Sequence, residues 1–426
     1  MANPAPATAP PSRHSRPPPH QRKLPMRALL MIPFILTAAL SNVLAADEPA
    51  GQQLDAAQHT IRVATFNCSL NRDAAGQLEQ DLSTDRNLQA RKIARILRQV
   101  RPDIVLLNEF DYSEPTTAAT SFLKNYLSSS ADWATEEPLH YPHFWTAAVN
   151  TGVATGRDLD HDGNSDGPGD AYGFGRFPGQ YGMLLLSRFP VRTQQVRTFQ
   201  KLLWKQMPNP LLPVHPDTQQ NWYSEQDLQM FRLSSKSHWD VPVEVGGHVL
   251  HLLASHPTPP AFDGAEDRNG RRNHDEIRLW RDYLTPDANS WIQDDAGTSG
   301  GLPADAAFVI LGDLNADPVD GGSVPGAIQL LLQHPRVQPE PVPTSDGGEQ
   351  AAAEQQGANR AHRGPAAADT ADFSDRAVGN LRVDYVLPSR DLKVLSARVF
   401  WPATGAAVDL IDCSDHRLVF VDLQIP

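Results

Sequence analysis

Six short apolar runs in this chain end on, carry or follow a carboxylate, an amide or an imidazole, the groups that hold hard cations and move protons. Ile61 to Cys68 has Asn67 near its end, and Ile104-Val105-Leu106-Leu107 runs into Asn108-Glu109. Val249 to Ala254 leads to His256, and Phe308 to Leu311 leads to Gly312-Asp313-Leu314-Asn315. Leu381 to Leu387 carries Asp384, and Leu418 to Leu423 follows Ser414-Asp415-His416. In an open α/β sheet, strand ends of this kind are where the backbone leaves the core and lines a crevice.

Spacing sharpens one of these runs. Val309-Ile310-Leu311 drives a strand whose period of two puts Asp313 and Asn315 on one face. Taken alone, Gly312 and Asn315-Ala316-Asp317-Pro318 read equally well as a turn closing a strand. His256 alone reads as a satisfied strand-end histidine, and Asp384 as a partner for Arg382. It is the recurrence of the pattern that points to a site.

The elements that would position these residues alternate along the chain. Leu88, Ile93, Ile96, Leu97 and Val100 recur at helical spacing between Asn87 and Val100, with Arg91, Lys92, Arg95 and Arg98 between them. Asn273 to Leu284 predicts a second helix, with Asn273 and Glu276 as a capping box. Met183-Leu184-Leu185-Leu186 adds a further buried strand. Strands interleaved with helices predict an α/β protein with one domain over residues 58–426, and no Pro/Gly linker divides it. Residues 111–180, rich in Gly and Asp, and residues 338–375, rich in Pro, Gly, Ala and Gln, read as insertions that bury little.

Together, Thr65-Phe66-Asn67, the Glu109 strand, Ser255-His256, Gly312-Asp313-Leu314-Asn315, Arg382-Val383-Asp384-Tyr385 and Ser414-Asp415-His416 stand in the order of a known pattern. From about Ile61 to its end, the chain resembles the endonuclease/exonuclease/phosphatase superfamily of exonuclease III-like, deoxyribonuclease I-like, inositol polyphosphate 5-phosphatase and sphingomyelinase enzymes. The resemblance implies a four-layer α/β sandwich, with two packed mixed sheets flanked by helices. It also implies hydrolysis of a phosphodiester or phosphomonoester by in-line attack of an activated water. A phosphoester repels its nucleophile and gathers charge on nonbridging oxygens, so a cation must sit beside it. Mg2+ or Mn2+ would be held by Glu109, with Asn67 and Asp415 close by, and hard oxygen ligands suffice for this. By the same resemblance Asp313 orients and deprotonates the water, and Asn315 helps to hold the phosphorus. His416 meets the phosphate with Asp384 fixing its other N–H, and His256 donates to a second oxygen.

Two further stretches invite ligands. Asp158-Leu159-Asp160-His161-Asp162-Gly163, followed by Asp166, is similar to the start of a calcium loop, although Gly169 stands where an EF-hand has its bidentate Glu. A solvated acidic turn is the plainer reading. Asp267 to Asp275 places Arg271 and Arg272 ahead of the second helix, where they would grip a phosphate or merely balance neighbouring acids.

Arg13, Arg16, Arg22, Lys23 and Arg27 precede the apolar run Ala28 to Ala39, and Val43-Leu44-Ala45 offers small residues for cleavage. Residues 1–45 read as a signal peptide, with Met26 as a natural start and residues 46–57 as a short linker. The run is well under the roughly 20 residues of a spanning helix, so no span is expected after cleavage. Removing residues 1–45 leaves 32 basic and 50 acidic residues, a net charge of −18. Such a surface disfavours duplex nucleic acid and suits a small phosphate ester or lipid headgroup, with a nuclease on single strands or nicked DNA as the alternative. The reading from another class is a non-catalytic, calcium-binding secreted module. A monomer is expected. Cys68 and Cys413 are the two cysteines, and in an exported chain they would either pair or stay buried as thiols.

Overall fold

The computed structural model of the chain describes residues 59–130 and 132–425, which lie within one compact unit, Leu54–Pro426. The expected signal peptide and linker lie outside the described residues. Thirteen strands follow in order: β1 (His59–Leu70), β2 (Ile104–Phe110), β3 (His143–Trp145), β4 (Met183–Ser187), β5 (Arg197–Thr198), β6 (His238–Val245) and β7 (His248–Ser255). After them come β8 (Ala307–Asp313), β9 (Ala371–Asp372), β10 (Asn380–Leu381), β11 (Asp384–Pro388), β12 (Lys393–Phe400) and β13 (Leu418–Ile425).

They form two main sheets, ordered β12-β13-β1-β2-β4-β3 and β11-β8-β7-β6-β5, and β9 pairs with β10 in a small ribbon. Both main sheets are mixed, because β1 runs parallel to β2 and β7 parallel to β8 while their other neighbours are antiparallel.

Side-chain alternation explains the layering. Ile61, Val63, Ile104, Leu106 and Leu185 of the first sheet share one core with Trp239, Val241, Leu252, Val309 and Leu311 of the second. The residues between them face outward: Ala64, Phe66, Val105 and Leu107 pack with Ile93, Ile96 and Leu97 of the helix Leu88–Val100. On the far side, Leu253, Phe308 and Ile310 pack with Ile277, Trp280 and Leu284 of the helix Arg268–Leu284. The result is helix, sheet, sheet, helix, and the central strands are apolar throughout because both their faces are covered.

The first helix begins where the sequence places it, with the Asn87 side chain accepting from Ala90 N–H at 3.0 Å. The second does not: it starts at Arg268, so Asn273 and Glu276 sit inside it rather than at a cap. Their side chains serve tertiary partners instead. Asn273 donates to the carbonyls of Thr258 and Leu314, and Glu276 accepts from the N–H groups of Ser235 and Thr258. The run Leu381 to Leu387 is broken as well, because β10 ends at Leu381 and β11 begins at Asp384.

His238, at the start of β6, is buried, with Nε2 2.9 Å from the Glu276 carbonyl and Nδ1 2.6 Å from Ser234 Oγ. The carbonyl can only accept, so Nε2 carries the proton and the neutral ring is satisfied. Burial pushes His238 down to about 4, against the opposing pull of Glu276. The unfolded ring takes its proton near pH 6.5, so the unfolded state binds more protons between the two values. Stability is full above about 6.5 and falls by about 3 kcal/mol as pH drops to about 4. Denaturant titrations across that window check this, and His238→Asn should flatten the slope.

Candidate active site

Strand register brings the predicted residues to one edge of the sandwich. In the first sheet Asn67 pairs with Asn108 across parallel strands, so Asn67 and Glu109 lie side by side at the ends of β1 and β2. The antiparallel β13 enters beside them, preceded by Asp415 and His416. In the second sheet Asp313 at the end of β8 pairs with Asp384 at the start of β11, and β7 delivers His256 next to β8. Gly312 permits this: its φ is +148°, and a Cβ there would lie 2.0 Å from the Ser255 carbonyl oxygen.

Asn108 and Asn67 join the two sheets. The Asn108 side chain accepts from Asp313 N–H at 3.2 Å and donates to the Ser255 carbonyl at 3.4 Å. Asn67 Nδ2 donates to Glu109 Oε1 and to Asp313 Oδ2, both at 3.1 Å. Its oxygen accepts from Ser69 N–H at 3.2 Å, so Asn67 ties two carboxylates together.

Asp313 is the hub. Oδ1 accepts from Asn315 N–H at 3.0 Å, while Oδ2 lies 3.3 Å from His256 Nε2 and 3.6 Å from His416 Nε2. Burial works against its charge, but His416, with hydrogen bonds from His256 and Asn67, holds the carboxyl well below the usual carboxylate range. His416 Nδ1 meets Asp384 Oδ2 at 2.9 Å. Burial opposes charge on this ring too, yet Asp384 and Asp313 hold it well above the usual imidazole range. Burial, followed by Lys236, pushes His256 down, so His256 is neutral beside a charged His416. Asn315 has φ +51° and donates its amide to the Pro257 carbonyl at 3.1 Å.

Glu109 stands at the rim with φ +58°, a left-handed conformation that costs a side chain about 1–2 kcal/mol and re-aims it out of the strand. Its oxygens accept from Asn67 at 3.1 Å and from Asn71 Nδ2 at 2.6 Å. Asp415 is exposed on the same lip, 3.5 Å from Ser69 Oγ. These half-exposed oxygen donors suit a hard divalent cation. Asp313, Asp384 and His416 also offer three ligand-type atoms within 4.8 Å of one another. With His416 set between two carboxylates, that trio can also hold and pass a proton.

Sequence reading missed several supports. Thr370 donates to Asp384 Oδ2 at 2.8 Å and accepts from Val383 and Asp384 N–H, although it lies in a stretch expected to bury little. Ser414 donates to the Asn67 carbonyl and accepts from His416 N–H. Lys236 is buried beside the site, and its signal was a lone lysine in Ser234-Ser235-Lys236-Ser237 ahead of a strand.

Arg272 is buried and spent on the carbonyls of Leu233, Tyr172 and Arg232, and Arg271 donates to Leu212, which leaves neither at the site. Asp158, Asp160 and Asp162 gather their carboxylates within 4.8 Å, and Asp166 is not in that group. Their oxygens accept from Gly163, Asp162 and Asn164 N–H, as in a capped turn. Both cysteines are free and buried.

The sequence model of the Endonuclease/Exonuclease/phosphatase family matches residues 64–416. The chain belongs to this family. Members of the endonuclease/exonuclease/phosphatase family are divalent-metal-dependent phosphoesterases and nucleases, so the protein is a hydrolase of phosphoester bonds. Among solved structures, an endonuclease/exonuclease/phosphatase from Beutenbergia cavernae is similar at 19% identity and TM-score 0.48, covering 86% of this chain and 72% of its own. A family protein from Leptotrichia buccalis is similar at 14% identity and TM-score 0.44, over 86% and 100% of the two chains. Sphingomyelinase C from Streptomyces griseocarneus is similar at 16% identity and TM-score 0.42, over 85% and 99%. No curated protein matches the chain in sequence.

Proposed function

We propose that this site hydrolyses a small phosphate ester or a lipid headgroup, a phosphodiester or a phosphomonoester, by in-line attack of water on phosphorus. The observation that carries the reading is Asp313 Oδ2, a buried carboxylate oxygen approached by Asn67 from one sheet and by His256 and His416 from elsewhere on the same edge. This carboxylate is favoured in its ionised form by His416 and by the hydrogen bonds from His256 and Asn67. It orients a water and accepts its proton as the new P–O bond forms. His416, charged and braced by Asp384, donates to the phosphoryl oxygen as charge gathers there, and His256 donates to a second one. Asn315, fixed by the Pro257 carbonyl, holds the phosphoryl group in line.

Glu109, with Asn67 and Asp415 nearby, would hold Mg2+ or Mn2+. When bound, the ion supplies positive charge to the nonbridging oxygens. The net charge of −18 left after residues 1–45 supports a small substrate over long nucleic acid, and a nuclease is the second reading. The basic and apolar N-terminus supports secretion. Among the described residues no helix is long and apolar enough to cross a membrane. A structural Ca2+ at Asp158, Asp160 and Asp162 is a separate part of the proposal, read out as a calcium-dependent rise in Tm that chelation removes.

The test is phosphate or alcohol release from a panel of esters, lipids and single-stranded and nicked DNA, with Mg2+ or Mn2+ and with chelator. Metal-stimulated turnover of a small ester or lipid supports the proposal. Turnover of DNA alone selects the nuclease, and no turnover with Asp313→Asn indistinguishable from wild type selects a non-catalytic module.

A further inference from the structure

One buried cation at this edge has no partner. Lys236 is 6% exposed, and its ammonium makes no hydrogen bond and no ion pair within 4.0 Å among the described residues. The nitrogen itself is not sealed from solvent. Register fixes where it stands: His238 pairs with Ser255, so Lys236, two residues earlier, lies beside the Ser255-His256 end of β7. The charges that act on it are Glu276, Glu109 and Asp313, with Arg272 opposing them, and Lys236 in turn acts on His256.

The backbone around it is clamped. Glu276 Oε1 accepts from Ser235 N–H at 2.6 Å, and the Lys236 carbonyl accepts from Asn150 N–H at 2.9 Å. Gly173 packs so tightly on Ser235 that a Cβ would lie 1.9 Å from the Ser235 carbonyl oxygen. Burying an ammonium without a partner is costly, and proteins normally pair it. Glu276 is the obvious mate, but its two oxygens already serve Ser235 and Thr258 N–H and neither comes within 4.0 Å of the lysine ammonium. The hydroxyls of Ser235 and Thr258 and the His256 Nδ1 atom are buried without a partner as well. An ammonium that no carboxylate pairs and that still reaches solvent beside the His256 end of β7 is what a bound anion would satisfy.

We propose that Lys236 is a further catalytic residue, whose ammonium grips a nonbridging oxygen of the substrate phosphate. This rests on the phosphoesterase reading of the site. The lysine supplies a fixed positive charge to the phosphate from beside the second sheet.

The experiment compares wild type with Lys236→Met, which keeps the stem and removes the charge. It measures kcat and KM on the best substrate of the panel, and equilibrium binding of inorganic phosphate by calorimetry in Mn2+. The expected result is a kcat lower by about 10²- to 10³-fold, phosphate bound at least about tenfold more weakly, and an unchanged or higher Tm. Lys236→Arg should recover phosphate binding better than kcat. A lower Tm with phosphate affinity and kcat both within about threefold of wild type would overturn the proposal, since a structural ion partner behaves that way. Lys236→Gln takes the place of the Met variant should that fail to fold, and unchanged phosphate affinity there also overturns it. Weaker phosphate binding in the Met variant supports the lysine's role even where wild type turns over no ester, and in that case only the functional reading fails.

Discussion

Asp313→Asn should lower kcat by about 10³- to 10⁴-fold, with KM within a few-fold and the folded state retained. The amide fills the same space but cannot take a proton from water, and it no longer offers a charged oxygen to three nitrogen donors. His416 then loses one of the carboxylates that favour its charge and keeps Asp384 and the more distant Asp415, so its hold on a proton weakens. The activity profile of the residual enzyme should therefore fall off at a lower pH on its alkaline side, because a charged His416 is lost sooner as pH rises. Steady-state kinetics across pH, with circular dichroism for the fold, check both parts. A kcat within tenfold of wild type would mean that another group activates the water.

The second large effect belongs to Glu109. Glu109→Gln keeps the length, and its single amide oxygen can still accept from Asn67 or from Asn71, but it removes the charge that a divalent cation needs. Turnover at saturating Mg2+ should fall by about 10³-fold or more, since the cation offsets charge at the reacting phosphate. Mn2+ should also cease to protect the fold. For wild type, a ligand at 100 times its Kd adds about 2.7 kcal/mol of stability, and the variant should lose most of that. Thermal unfolding with and without Mn2+ reads this independently of activity. An equal Tm rise in both proteins would place the cation elsewhere.

The parts of this molecule legible in its sequence are those that depend on short-range pattern. Ile104-Val105-Leu106-Leu107 is apolar on both faces because it lies in the middle of a sheet covered on both sides, and that requirement is written into consecutive residues. The helix Leu88–Val100 announces its start with Asn87 because a cap is a local hydrogen bond. Tertiary partners are not local, and there the reading slips. Asn273 and Glu276 have the types and spacing of a capping box, but a loop 15 residues upstream of Asn273 claims the amide and the β6 approach claims the carboxylate. Thr370 carries no signal at all: an Ala- and Pro-rich stretch looks incapable of packing, yet its hydroxyl braces Asp384. Arg272 looked free beside a helix start only because the helix was expected to begin later than it does. In the same way, the candidate residues could be collected from strand ends, whereas their order around Asp313 Oδ2 depends on Asn67 and Asn108 crossing from one sheet to the other.

The central claim is a division of labour along that edge, with a cation at Glu109 and proton handling at Asp313, Asp384 and His416. Anomalous diffraction from a crystal soaked in Mn2+ tests it most directly. The expected map has its strongest protein-bound peak against the Glu109 carboxylate, with His416 still bonded to Asp384. A strongest peak between Asp313, Asp384 and His416, with none at Glu109, would contradict it.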